Sequence, residues 1–260
     1  FNALGKVYKW LQPVGGIPQG DYAPVKMLIT PKKQQLIALG GKYRFSDRLN
    51  LLTETAMSTT DKNTFSSKDK RDDKGFSFRA QLAHSVPFGK DTIKKWSWKN
   101  QLECELLDPF FKPIEQYRAV EFDRDWNTRN QHYEGNQIYT TFRTALKHQQ
   151  YGSIEWNAQN FKIGNDFSGV KSQVLVAWNK NGLRIQGDGS MLSAKTVASN
   201  RFFRHKVDVS KSYRWLKVGY KADQEWNAYK SATTLTTASY SFFDYQGYAV
   251  FRSEERRVGK

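Results

Sequence analysis

From residue 34 to residue 251 the chain alternates apolar and polar residues again and again, and this period of two limits what it can fold into. Trp96–Leu106 is the clearest stretch. Trp96, Trp98, Asn100, Leu102, Cys104 and Leu106 share one face, and Ser97, Lys99, Gln101, Glu103 and Glu105 share the other. Successive strand side chains point to opposite sides, so this is a two-faced strand. At about ten residues it has the length a tilted strand needs to cross a bilayer. Such a pattern builds either a barrel with an apolar outside or a half-buried soluble sheet.

The rhythm recurs along the chain. Ile37–Phe45 turns at Ser46-Asp47-Arg48 into Leu49–Ser58, and Phe76–Val86 turns at Pro87–Asp91 into the Trp96 strand. Ile138–Leu146 turns at His148-Gln149-Gln150 into Gly152–Ala158. Ser172–Trp178 meets Asn179-Lys180-Asn181-Gly182, a tight-hairpin signal because Asn and Gly tolerate positive φ. Further strands carry Leu183–Met191, Val207–Val209, Leu216–Trp226 and Tyr240–Phe251. Between hairpins lie polar stretches expected as loops: Thr59–Lys74 (a mobile loop), Asp108–Asn136 and Lys162–Gly169. Short and long connections thus alternate, which places short turns at one end and long loops at the other, as in transmembrane barrels.

The expected organisation is an irregular lead-in over 1–33 with short strands at Val7–Leu11 and Val25–Thr30. An antiparallel up-and-down meander over 34–251 follows, and then a tail over 252–260. The tail reads as translated sequencing adapter, so the chain is expected to be an internal piece of a longer protein. The fold class is all-β: part of a transmembrane β-barrel, open or incompletely closed in this piece.

Mean hydropathy is −0.73, and no run approaches the ~20 apolar residues of a membrane helix. Barrel strands produce no such run, because only alternate residues face lipid. The formal charge of +16 falls to +14 once four Lys/Arg and two Glu of the tail are set aside. Nucleic acid is not an expected partner, since the aromatic residues share a face with aliphatics rather than with cations. The partners expected are outer-membrane lipid and, further, surface polysaccharide.

Trp96, Trp98, Trp156, Trp178 and Trp226 lie on the apolar face near strand ends and read as an interfacial aromatic girdle; the alternative is a soluble core. Lys99, Glu103, Glu105, Arg143, Lys147, Glu155 and Lys171 lie on the polar face and read as lumen residues. Over the better strands that face holds nine cations and seven carboxylates, a mixed wall rather than a one-signed ring. Glu121, Asp123 and Asp125, if extended, would align three carboxylates for a hard cation. Arg118 and Arg124 beside them favour a salt-bridged loop. The four His have no metal-ligand spacing, and no phosphate loop or nucleophile elbow occurs, so neither cofactor nor catalysis is expected. Cys104, the sole cysteine, reads as a packing residue.

Four segments carry a resemblance: Gly16–Tyr22 (GIPQGDY), Arg118–Asn127 (RAVEFDRDWN), Phe202–Ser212 (FFRHKVDVSKS) and Trp215–Asn227 (WLKVGYKADQEWN). They resemble large outer-membrane-type β-barrel surface proteins of Bacteroidota. The resemblance implies a many-stranded barrel at the C-terminal end of a longer exported protein, in the outer membrane of a Gram-negative cell. It implies no established activity or ligand. The role expected is structural, or in transport and surface interaction. The alternative is a soluble secreted β-rich module that stacks aromatic residues on sugars.

Overall fold

A computed structural model describes residues 9–20, 29–66, 68, 70–89, 96–129, 131–196, 198–231 and 234–251. The alternating stretches become strands β1 (Lys33–Ser46), β2 (Leu49–Asp61), β3 (Lys74–Phe88) and β4 (Trp96–Leu107). A single helical turn, α1 (Phe122–Asp125), interrupts before β5 (Gln137–His148), β6 (Gly152–Ile163), β7 (Phe167–Lys180) and β8 (Leu183–Lys195). The series ends with β9 (Ser199–Ser212), β10 (Leu216–Ser231), the two-residue β11 (Thr234–Leu235) and β12 (Tyr240–Phe251). Each strand pairs antiparallel with its sequence neighbours, while β11 and β12 both pair with β10. The result is an all-β, antiparallel meander in one sheet that is not closed: β1 and β12 are its edges.

Local chemistry accounts for the turns. Asn181 and Gly182 carry φ of 51° and 74°, the positive pair a two-residue hairpin requires. The Ser46 hydroxyl accepts the Arg48 amide at 3.2 Å in the first turn. Nδ1 of the buried His148 accepts the amides of Gln150 and Tyr151, both at 3.1 Å.

Several expectations need correction. The strands run further toward the far end than alternation alone suggests. Residues 164–166 alone connect β6 to β7, and 196–198 alone connect β8 to β9, so Lys162–Gly169 is mostly strand. Only the β2–β3 and β4–β5 connections at that end are long. Their residues escape a hydropathy scan because strand ends carry polar side chains such as Lys162 and Lys195. The β2–β3 connection is tied by ion pairs: Lys70 to Asp61 and, at 4.0 Å, to Asp73, and Lys62 to Asp72 at 4.0 Å. In the lead-in, the described residues form only an isolated bridge, Val14 to Ile17. Most of the two short strands expected there, and the tail at 252–260, lie outside the described residues.

Register assigns the faces. Leu106 is level with Phe78 and Ile138, Leu102 with Leu82 and Phe142, and Trp98 with Val86 and Leu146. One face is therefore apolar from strand to strand, and it is the uncovered one: Trp98 is 49% exposed, Leu102 47% and Leu106 41%. Most buried strand residues belong to the other face, where Phe161, Ile163, Phe167, Leu192, Ala194 and Phe202 form the core cluster with Trp126. This inverts the usual soluble arrangement, in which apolar strand faces are covered and polar faces are wet.

Candidate functional site: a loop folded against the polar face

What covers the polar face is the long connection between β4 and β5. It leaves β4 at Leu107 and crosses Gly75 so closely that a Cβ there would overlap the Phe110–Phe111 peptide. The Lys112 amide donates to the buried Ser58 hydroxyl on β2 at 2.9 Å. Arg118 then pairs with Glu105 on β4 at 2.5 Å, and its guanidinium lies 4.3 Å from the Phe122 ring centroid and 5.0 Å from that of Phe161. Arg–carboxylate pairing and cation–π contact hold the side chain from two directions.

The helical turn α1 is the anchor. Phe122 packs edge-on against Tyr139 of β5 and Phe161 of β6, with centroids 5.6 and 5.2 Å away. Arg124 donates to Glu225 of β10 at 2.7 Å. Asp125 accepts Lys171 of β7 at 2.8 Å and lies 3.2 Å from Arg204 of β9. Trp126, 1% exposed, sits among Tyr139, Phe161 and Phe167, and the Asn127 amide reaches Asn227 of β10 at 3.1 Å. One turn thus touches β5, β6, β7, β9 and β10. On a flat sheet five strand spacings amount to about 24 Å, twice the ~10–12 Å width of a helix. The contacts exist together only because the sheet curls around α1. The polar face is therefore concave and the apolar face convex.

The seven polar-face residues expected from alternation, Lys99, Glu103, Glu105, Arg143, Lys147, Glu155 and Lys171, all register on the concave side. They divide into two groups. Glu103 holds Arg79 at 2.8 Å, while Glu105 and Lys171 hold the loop. Arg143 pairs with Glu155 at 3.1 Å near the short-turn end, where Lys99 and Lys147 have no ion pair among the described residues.

Glu121, Asp123 and Asp125 are not aligned on an extended face, because Phe122–Asp125 is helical. Glu121 pairs with Arg124 at 3.4 Å, Asp123 accepts the Thr128 hydroxyl at 3.3 Å, and Asp125 is taken by Lys171 and Arg204. Glu121 and Asp125 make the salt-bridged loop, and of the three carboxylates Asp125 reaches partners on distant strands. No group of three metal-ligating side chains occurs among the described residues.

All five expected girdle tryptophans register on the convex face. Trp96 and Trp178 stack at the short-turn end, with centroids 6.2 Å apart. Trp98 lies just inside, Trp156 is well inside β6, and Trp226 stands toward the opposite rim. Alternation alone puts all five near strand ends, because the apolar pattern marks β6 and β10 as shorter than they are. Further aromatic residues complete the short-turn rim: Tyr43 against Phe45 at 4.8 Å, Tyr151 against Trp178 at 5.7 Å, and Trp215 against Phe251 at 6.1 Å.

Alternation could not assign the loop anchors Phe122, Trp126 and Asn127. Two aromatic rings inside a polar stretch were the only signal. Compared with protein families, with curated proteins and with solved structures, the chain gives no match.

Proposed function

We propose that the chain is a segment of an outer-membrane β-barrel of a Gram-negative cell. In this reading its convex face meets lipid and its β4–β5 loop plugs the concave side. Its role is structural, or in transport and surface interaction, without catalytic chemistry. The observation that carries the reading is the inverted sheet: a strand-to-strand apolar face left uncovered, and a polar face covered by the chain's own loop. Soluble monomers rarely expose apolar patches beyond a few hundred Å². This one runs across the sheet, with Leu39 73%, Phe78 42%, Ile154 48%, Val174 43% and Tyr220 47% exposed.

Two further features agree. From Trp96 to Leu106 is ten steps, about 34 Å of strand, or about 26 Å of height at a ~40° tilt; barrel apolar bands stand ~25 Å tall. Several polar groups on the convex face also satisfy one another. The indole of Trp98 donates to the Thr144 hydroxyl at 2.9 Å, Thr144 donates to Asn100 at 2.8 Å, and the indole of Trp156 donates to Ser172 at 2.9 Å. A lipid-facing polar group needs such a partner, because hydrocarbon supplies none. A soluble sugar-binding module would instead need a second layer over this face, and none is present among the described residues.

The test is flotation. The refolded chain is mixed with phosphatidylcholine liposomes and centrifuged through a density gradient. We expect it to float with the vesicles and to require detergent to stay dispersed. A chain that stayed soluble without detergent and sedimented free of lipid would refute the reading.

A further inference from the structure

The concave face is not uniform along its length. Among concave-face strand residues within three positions of a short turn, the cations are Arg44, Lys99, Lys147, Arg184 and Lys217, and the only carboxylate is Glu155. The even balance of the whole polar face therefore conceals a basic rim. The loop's ion pairs consume carboxylates deeper in, at Glu105 and Glu225.

Within this rim lies a cavity of about 230 Å³ lined by Arg48, Ser85, Lys99, Arg143, Lys147 and Glu155. Glu155 is engaged by Arg143 at 3.1 Å, and Arg143 also donates to Asn157 at 3.0 Å. The guanidinium of Arg48 and the ammonium groups of Lys99 and Lys147 have no acidic partner within 4.0 Å among the described residues. Like charges brought together repel, and a concave wall concentrates their field. An anion that entered would relieve this repulsion.

We propose that this cavity binds a small oxoanion, the phosphate or sulfate group of a solute entering the concave side. The remaining walls narrow the class. Asn50, Ser85 and Gln101 add neutral polar groups, and no aromatic ring other than His84 lines the cavity. Neutral sugars and nucleic-acid bases are recognised largely by stacking on rings, so the chemistry favours a charged group held by a guanidinium fork and two ammonium groups. The volume suits a single tetrahedral anion, not a polymer. The site rests on the concave face alone and does not require that the convex face meet lipid.

The experiment is titration of the folded full chain with sodium phosphate, and in parallel with sodium sulfate, by calorimetry at constant ionic strength set with sodium chloride. It is run in detergent, or in plain buffer if the chain proves soluble, so failure of the barrel reading leaves it intact. We expect one saturable site, weakened about tenfold or more in Lys99→Gln/Lys147→Gln, as loss of two charge-assisted hydrogen bonds implies. We expect it unchanged in Arg184→Gln, whose side chain lies on the same rim outside the cavity. Circular dichroism confirms that each variant keeps its strands. If the double variant does not fold, Lys99→Gln alone serves, at an exposed side chain. Phosphate and sulfate both binding supports an oxoanion site, and one binding alone names the anion. No saturable binding of either, or binding unaltered by the lysine substitutions, overturns the proposal.

Discussion

Arg124 donates to Glu225 across 2.7 Å, although 101 residues separate them in the chain. The pair joins a loop after the fourth strand to the tenth strand, and it can form only because the sheet curls. Replacing Arg124 with Met should loosen α1 without unfolding the meander. The Arg124 side chain is 41% exposed, so solvent screening limits the cost to about 1 kcal/mol. Limited proteolysis within 109–136 should quicken about fivefold while strand circular dichroism stays constant.

Asp125 should matter more. Its carboxylate serves Lys171, whose side chain is 6% exposed, as well as Arg204. Asp125→Asn would leave a buried ammonium without its counter-charge, at a cost of about 3 kcal/mol. The same proteolysis assay should therefore rank Asp125→Asn well above Arg124→Met. Equal effects would mean that the loop is held by its aromatic packing instead.

Gly75 admits the loop by lacking a side chain, not by unusual backbone: a Cβ there would overlap the Phe110–Phe111 peptide. Gly75→Ala should displace the loop entrance at a cost of about 1–3 kcal/mol, the range for overpacking. Hydrogen exchange at the Lys112 amide, which donates to Ser58, should accelerate. Exchange on β7 and β8 should not.

Seating of the loop should also depend on alkaline pH. Burial pushes the Tyr133 phenol above its ordinary value, and Tyr229 and Asp166 add to the rise. The released loop would ionise first, so the contribution of Tyr133 is complete below the ordinary phenol pKa of about 10. It is lost as pH climbs through the raised value. Loop proteolysis in wild type should increase across that window more steeply than in Tyr133→Phe.

Depth-dependent quenching would report the orientation of the convex face. Trp178 stacks at the short-turn rim, while Trp156 lies four residues in from the start of β6, about 10 Å deeper for a tilted strand. Lipids brominated near the bilayer centre should lose more quenching in Trp156→Phe than in Trp178→Phe. Lipids brominated near the headgroup should give the reverse order.

Strand identity, the two faces and the short turns were legible in the residues themselves. Period two separates Leu102 from Glu103 without any tertiary information, and Asn181-Gly182 demands a hairpin wherever it stands. Strand ends were less legible, because Lys162 and Lys195 are polar in a strand as they would be in a loop. The loop's destination was not legible at all. Arg118 and Arg124 announce salt bridges, but nothing near them in the chain names Glu105 or Glu225 as partners.

The sequence by itself determined that this protein is an antiparallel meander with one apolar and one polar face, because side-chain direction along a strand is a local property. Only the tertiary structure decided which face is covered. Curling the sheet brings β5 and β10 within reach of one helical turn, and the loop then fills the concave side with Trp126 and its ion pairs. The same curvature gathers Arg48, Lys99 and Lys147, from three separate segments, around one cavity. That sum of charges is set by position in space and not by order in the chain.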